Sequence, residues 1–80
     1  MIQRAVFAET LPAGDYALTT SGLTWNVDRM TSAGNVLRLI AGERTRVAAV
    51  ERLLAIAERD GSSAWERLGP AAYKLIKRAR

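Results

Sequence analysis

The stretch Gly61-Ser62-Ser63-Ala64-Trp65-Glu66-Arg67-Leu68-Gly69-Pro70-Ala71-Ala72-Tyr73-Lys74-Leu75-Ile76-Lys77-Arg78-Ala79-Arg80 decides how this chain is read. Ser63 followed by Glu66 has the spacing of a capping box, in which each side chain satisfies the other's backbone N–H at a helix start. On that reading a short helix covers residues 64–68 and stops at Gly69-Pro70. Pro70 suits the first turn of a further helix, where its missing N–H has no partner to lose. Over 70–79, Ala72, Leu75, Ile76 and Ala79 recur at helical spacing and leave Lys74, Lys77, Arg78 and Arg80 outside the apolar stripe.

Immediately upstream, Ala49, Val50, Leu53, Leu54, Ile56 and Ala57 form one stripe, with Arg44, Glu51, Arg52, Glu58 and Arg59 opposite. This predicts a helix over 45–60, closed by Gly61, a residue that readily takes the left-handed conformation of a helix end.

Toward the N-terminus the period changes. Leu23, Trp25 and Val27 alternate with Thr24, Asn26 and Asp28, a period of two that marks a strand. Ser21-Gly22 supplies a hairpin turn before it, and Leu11-Pro12-Ala13-Gly14-Asp15 is a turn cluster further back. Strands over 2–8, 15–20 and 23–29 then form an antiparallel meander. Segment 36–41 sits between Thr31–Asn35 and Gly42; it reads as a fourth strand or as a short helix, with the strand favoured by its brevity. The expected fold is α+β, a single domain over residues 1–80. A small antiparallel sheet of three to four strands (residues 2–41) is covered on its apolar face by two to three C-terminal helices (45–60, 64–68, 70–79).

Composition narrows the function classes. Histidine and cysteine are both absent. Acid–base chemistry near neutral pH then needs a carboxylate or lysine of strongly shifted pKa, and thiol catalysis, disulfides and Cys/His metal sites drop out. No calcium-loop pattern, phosphate-binding glycine loop or nucleophile elbow occurs. The sequence therefore points away from an enzyme and implies neither a cofactor nor a metal. With no cysteine, no signal-peptide pattern and no apolar run of membrane-spanning length, the expected place is the cytoplasm, without membrane association.

The net charge of +4 is localised. Over residues 1–60 acids and bases balance, whereas 61–80 carry Arg67, Lys74, Lys77, Arg78 and Arg80 against Glu66 alone. The bland account is that cations near a helix C-terminus complement its dipole; the functional one is a patch for phosphates or for an acidic protein surface. A helix-turn-helix around Ala57 and Gly61 is the sharper nucleic-acid form, but its second helix would meet Gly69-Pro70 after barely two turns. Arg38, Arg44 and Arg46, around Gly42, are a second group of candidate contacts. Trp25 reads as core. Trp65 reads equally as core or as an interface anchor, and Tyr73 lies beside the basic residues.

The expected function is binding. The candidate contact residues are Arg38, Arg44, Arg46, Trp65, Tyr73, Lys74, Lys77, Arg78 and Arg80. The partner class is a protein or nucleoprotein complex, in the manner of the small inhibitory proteins of phages and mobile elements. Anti-CRISPR proteins are of that kind, and the likeness is one of size and style alone. A small nucleic-acid-binding regulator using the basic C-terminal helix is the alternative. A self-assembling protein, through exposed sheet edges, is a third. Monomer and homodimer both remain open.

Overall fold

The hairpin expected at Ser21-Gly22 forms and is the seed of the sheet. In the computed structural model, which describes residues 6–32 and 34–78, β2 (Tyr16–Ser21) pairs antiparallel with β3 (Thr24–Ser32), Leu18 facing Val27. β3 turns into β4 (Asn35–Glu43), so the ambiguous 36–41 segment is a strand. The helix α1 (Arg46–Asp60) follows, close to its expected bounds. Thr45 caps it by accepting from the Ala48 N–H at 3.2 Å, and Gly61, at φ 70°, closes it with its own N–H on the last turn.

The C-terminal third departs from expectation. Instead of helices over 64–68 and 70–79, the chain forms β5 (Ala64–Gly69) and β6 (Ala72–Lys77), an antiparallel hairpin turning at Gly69-Pro70. The first strand also differs. β1 (Phe7–Ala8) pairs with β6 and not with β2, and residues 2–5 of the expected strand lie outside the described residues. The result is one six-stranded mixed sheet, order β1-β6-β5-β2-β3-β4, with a single helix, rather than a three- to four-stranded antiparallel sheet under two to three helices.

Two physical reasons account for the difference. β5 runs parallel to β2, with Ala17 facing Trp65. A parallel pair needs a crossover connection, which α1 supplies. The incoming strand is then sandwiched: Ala64 packs under the helix and Trp65 packs on the opposite face. Consecutive buried residues erase the period-two signal and leave a spacing that a short helix shares. In addition, Glu66 does not turn back to cap a helix. It takes a paired hydrogen bond from Arg46, at 3.1 and 3.0 Å, which pins α1 to β5.

Two apolar clusters result. Under α1, Leu53, Ala49 and Ala57 pack on Tyr16, Leu18, Val27 and Ala64, with Trp25, Ile40 and Ile76 at the margin. Trp25 thus belongs to the core margin, but Leu23, placed in the same stripe by alternation, sits in the turn and is 91% exposed. On the other face no helix lies over the sheet among the described residues. There the connection from β1 to β2 crosses it and inserts Leu11 against Ala17 and Trp65, with Met30, Tyr73 and Leu75 around them. Asp15 fixes this crossing by accepting from the Ser63 N–H at 3.2 Å and the Trp65 ring N–H at 2.9 Å.

Asn26 and Asp28, expected on a solvated face, are buried. Asn26 sits where β3 and β4 slip register. Its Oδ1 accepts from the Gly42 N–H at 3.1 Å, with Gly42 at φ 79°, and its Nδ2 donates to Ser21. Among the described residues, no buried side-chain nitrogen or oxygen lacks a partner, and no helix is long and apolar enough to cross a membrane.

Candidate functional site: the helix-free face of the sheet

Four neighbouring strands contribute polar residues to a row on the face away from α1. Arg67 comes from β5, Thr19 from β2, Asp28 from β3 and Arg38 from β4. Asp28 is the hinge of this row. It is 6% exposed, accepts from the Thr19 hydroxyl at 2.9 Å, and takes Arg38 Nε at 3.0 Å and Nη2 at 3.3 Å. A buried carboxylate is tolerated because its oxygens are satisfied by a hydroxyl and a guanidinium fork. The hydrogen bonds to Asp28, and then its charge, raise the pKa of Arg38 above its ordinary value. The Arg38 side chain nevertheless remains 49% exposed.

Arg67 is held differently. Its Nε donates to the Gly69 carbonyl at 3.1 Å and its Nη2 to the Pro70 carbonyl at 3.2 Å. The guanidinium is thereby fixed over the β5–β6 turn by neutral acceptors, with no carboxylate in these contacts. Arg67, Thr19, Asp28 and Tyr73 line one narrow hollow together with Leu11, Met30 and Val36. Leu11, Met30 and Tyr73 also line a cleft of ≈ 390 Å³ with Glu9, Gly34 of the β3–β4 turn and Pro70-Ala71 of the β5–β6 turn. Thr19 and Arg67 also line a second hollow of ≈ 270 Å³ with Thr20, Leu68 and Pro70. The face thus carries a polar row beside an apolar cleft.

The helix side contrasts with this. Three of its cations pair with acids: Arg46 with Glu66, Arg52 with Glu43, and Lys77 with Glu58. Hydrogen bonding to Glu66 raises the pKa of Arg46. Below the end of α1, the Tyr16 hydroxyl donates to Asp60 while Arg29 lies 5.7 Å from the Tyr16 ring centre. Burial, then the bond to Asp60, pushes the Tyr16 phenol up from its ordinary value.

The residues singled out from sequence land in different places. Arg38 and Tyr73 come to the helix-free face, from opposite sides of the sheet. Trp65 is 8% exposed and lies beneath that face, as the floor on which Leu11 packs. Arg44 is exposed in the link between β4 and α1, and Arg46 is engaged at the start of α1. Lys74 and Lys77 are on β6 and Arg78 follows it, so the basic helix expected there does not exist; Arg80 lies outside the described residues. A strand spreads these cations over about 3.3 Å per residue, and the helical face joining Lys74 to Arg78 is gone. Thr19, Asp28, Met30 and Arg67 were not singled out. Their one sequence signal is the isolated Arg38 inside the apolar run 36–41, which demands a nearby acid.

No protein-family model, curated protein or solved structure matches this chain.

Proposed function

We propose that the protein is a non-enzymatic binding module that docks on a protein or nucleoprotein partner through the helix-free face of its sheet. The observation that carries this reading is the asymmetry of the two faces. One is covered by α1; the other presents open hollows with partly apolar walls, an aromatic side chain and two positioned guanidiniums, of which Arg38 is paired with Asp28. Interfaces favour that mixture, with arginine and aromatic residues enriched at their centres. The absence of histidine and cysteine from the sequence favours the same class, a small inhibitor of the phage or mobile-element type included. The lack of cysteine favours work in a reducing compartment such as the cytoplasm. The nucleic-acid alternative depended on a contiguous basic helix, and that support is lost with the helix.

The test is site-specific photo-crosslinking in the cells that make the protein. A benzophenone amino acid replaces Tyr73 on the groove or Arg59 on the outer surface of α1. The expected result is a discrete adduct from position 73, suppressed by excess unlabelled wild type, and none from position 59. No adduct at 73, or the same adduct from both positions, overturns the reading.

A further inference from the structure

We infer that residues 6–13 form a lid, which lifts from the helix-free face as a unit while the rest of the fold stays intact, and uncovers an apolar floor made by Ala17 and Trp65. The lid governs access to that face and does not depend on what occupies it, so it stands apart from the docking reading.

The two ends of the segment are held unequally. At its C-terminal end the Gly14 N–H donates to the Met30 carbonyl at 2.6 Å and the Met30 N–H to the Asp15 carbonyl at 3.0 Å. The Asp15 carboxylate is fixed in turn by the Ser63 N–H and the Trp65 ring N–H. At the other end, β1 is two residues long among the described residues, and the Val6 carbonyl accepts from the Leu75 N–H at 3.0 Å. Between the ends one residue is buried, Leu11, and Ala8 is half-buried; Val6, Phe7, Glu9, Thr10, Pro12 and Ala13 are exposed. A segment with so little buried apolar surface belongs to the parts of a fold that open below global unfolding. Gly14, at φ 93°, adjoins Pro12-Ala13 at the pivot.

Topology lets the lid move alone. β1 lies at the edge of the sheet, so its departure leaves β6, β5, β2, β3 and β4 paired in order. Leu11 lines both the narrow hollow and the ≈ 390 Å³ cleft, and Met30 and Tyr73 line both with it. Leu11 therefore separates two spaces that share walls. Lifting it joins them and exposes Ala17 and Trp65, the other buried members of its cluster, beside Leu75. Exposing that apolar floor to water costs free energy, which keeps the lid shut at rest.

The test measures amide exchange of the full chain, labelled with nitrogen-15, in deuterated buffer at urea concentrations below the unfolding transition. The Leu75 N–H reports on the lid, since it is bonded to Val6, and the Leu53 N–H, in the middle of α1, reports on global unfolding. Corrected for intrinsic rates, Leu75 is expected to exchange about tenfold or more faster than Leu53, with a shallower dependence on urea, because a lid exposes less surface than unfolding. The chain has no cysteine, so Ala17→Cys puts a lone thiol on the floor and Ala49→Cys puts one under α1. Dithiobis(nitrobenzoate) is expected to label the first faster than the second. Phe7 faces Lys74 across β1 and β6, next to the hydrogen-bonded pair of Val6 and Leu75. A disulfide between Phe7→Cys and Lys74→Cys fits such a site, where the backbones approach most closely. When oxidised, it is expected to slow Leu75 exchange to the rate of Leu53, and reduction restores the difference. Equal rates and equal urea slopes for Leu75 and Leu53 in wild type overturn the inference. So does fast Leu75 exchange with the two thiols labelled equally slowly, which means fraying of β1 alone. The wild-type exchange and the thiol pair give the answer even if the disulfide does not form. A crosslink from position 73 is read separately, so the docking reading and the lid fail or stand independently.

Discussion

Asp15, Asp28 and Tyr16 show how much of this small protein depends on single polar side chains placed between elements. Asp15 ties the β1–β2 crossing to Ser63 and Trp65, and Asp28 ties β2 to β4 through Thr19 and Arg38. Tyr16 does the same from the core, its ring under α1 and its hydroxyl on Asp60. Its raised pKa has a consequence for stability. The folded state holds the phenolic proton more tightly than the unfolded chain, so this contribution is fully present below the unfolded pKa near 10. It is lost as pH rises through the higher folded value. Thermal melts at pH 9 and pH 11 are expected to show a larger loss for wild type than for Tyr16→Phe. Equal losses mean that Tyr16 is not the group responsible.

At the scale of elements, α1 is the piece whose sequence and structure agree best, and for a clear reason. It is long enough for the helical period to repeat, and both ends carry capping residues, Thr45 and Gly61. Its grip on the sheet passes through Leu53, which is fully buried against the strands. Leu53→Ala is expected to cost about 3 kcal/mol of unfolding free energy, since a buried leucine loses both transfer energy and packing. Val47→Ala, exposed on the same helix, changes stability by less than about 0.5 kcal/mol. A urea titration of both variants measures the difference.

The strands expected over 15–20 and 23–29 form as 16–21 and 24–32, since one turn signal and a clean alternation pointed the same way, but the extension through Thr31 and Ser32 was not legible. β5 and β6 were not legible. Each is six residues long, too short to separate a period of two from 3.6, and Ala64 and Trp65 are buried on opposite sides of the sheet. Gly69-Pro70 then served equally well as a helix stop and start or as a hairpin turn. The candidate site shows the same limit. Arg38 and Tyr73 stand out by type, but Thr19, Asp28 and Arg67 acquire meaning only when the strand order sets β5, β2, β3 and β4 side by side.

For the whole molecule, the decisive feature is the insertion of the C-terminal hairpin beside β2. That step creates the helix-free face. It puts Trp65 under Leu11, sets Arg67 next to Thr19, and brings the Pro70 turn to the cleft that Gly34 borders. Without it the face loses Trp65, Arg67 and the Pro70 turn together. The edges of the sheet differ as well. Among the described residues the β1 edge is two residues long, while β4 is a nine-residue edge broken by register shifts against β3. Such irregularities discourage edge-to-edge pairing.

The measurement that tests this account most directly is the solution NMR spectrum of the full chain, read for the secondary shifts of residues 64–77 and for contacts across β2 and β5. The account predicts strand-type shifts over 64–69 and 72–77. It also predicts nuclear Overhauser contacts between the backbones of Ala17 and Trp65 and between Arg67 and Tyr73, as the strand register requires. Helical shifts over 64–68 and 70–79, with no contact from Ala17 to Trp65, would contradict it and dissolve the groove along with the fold.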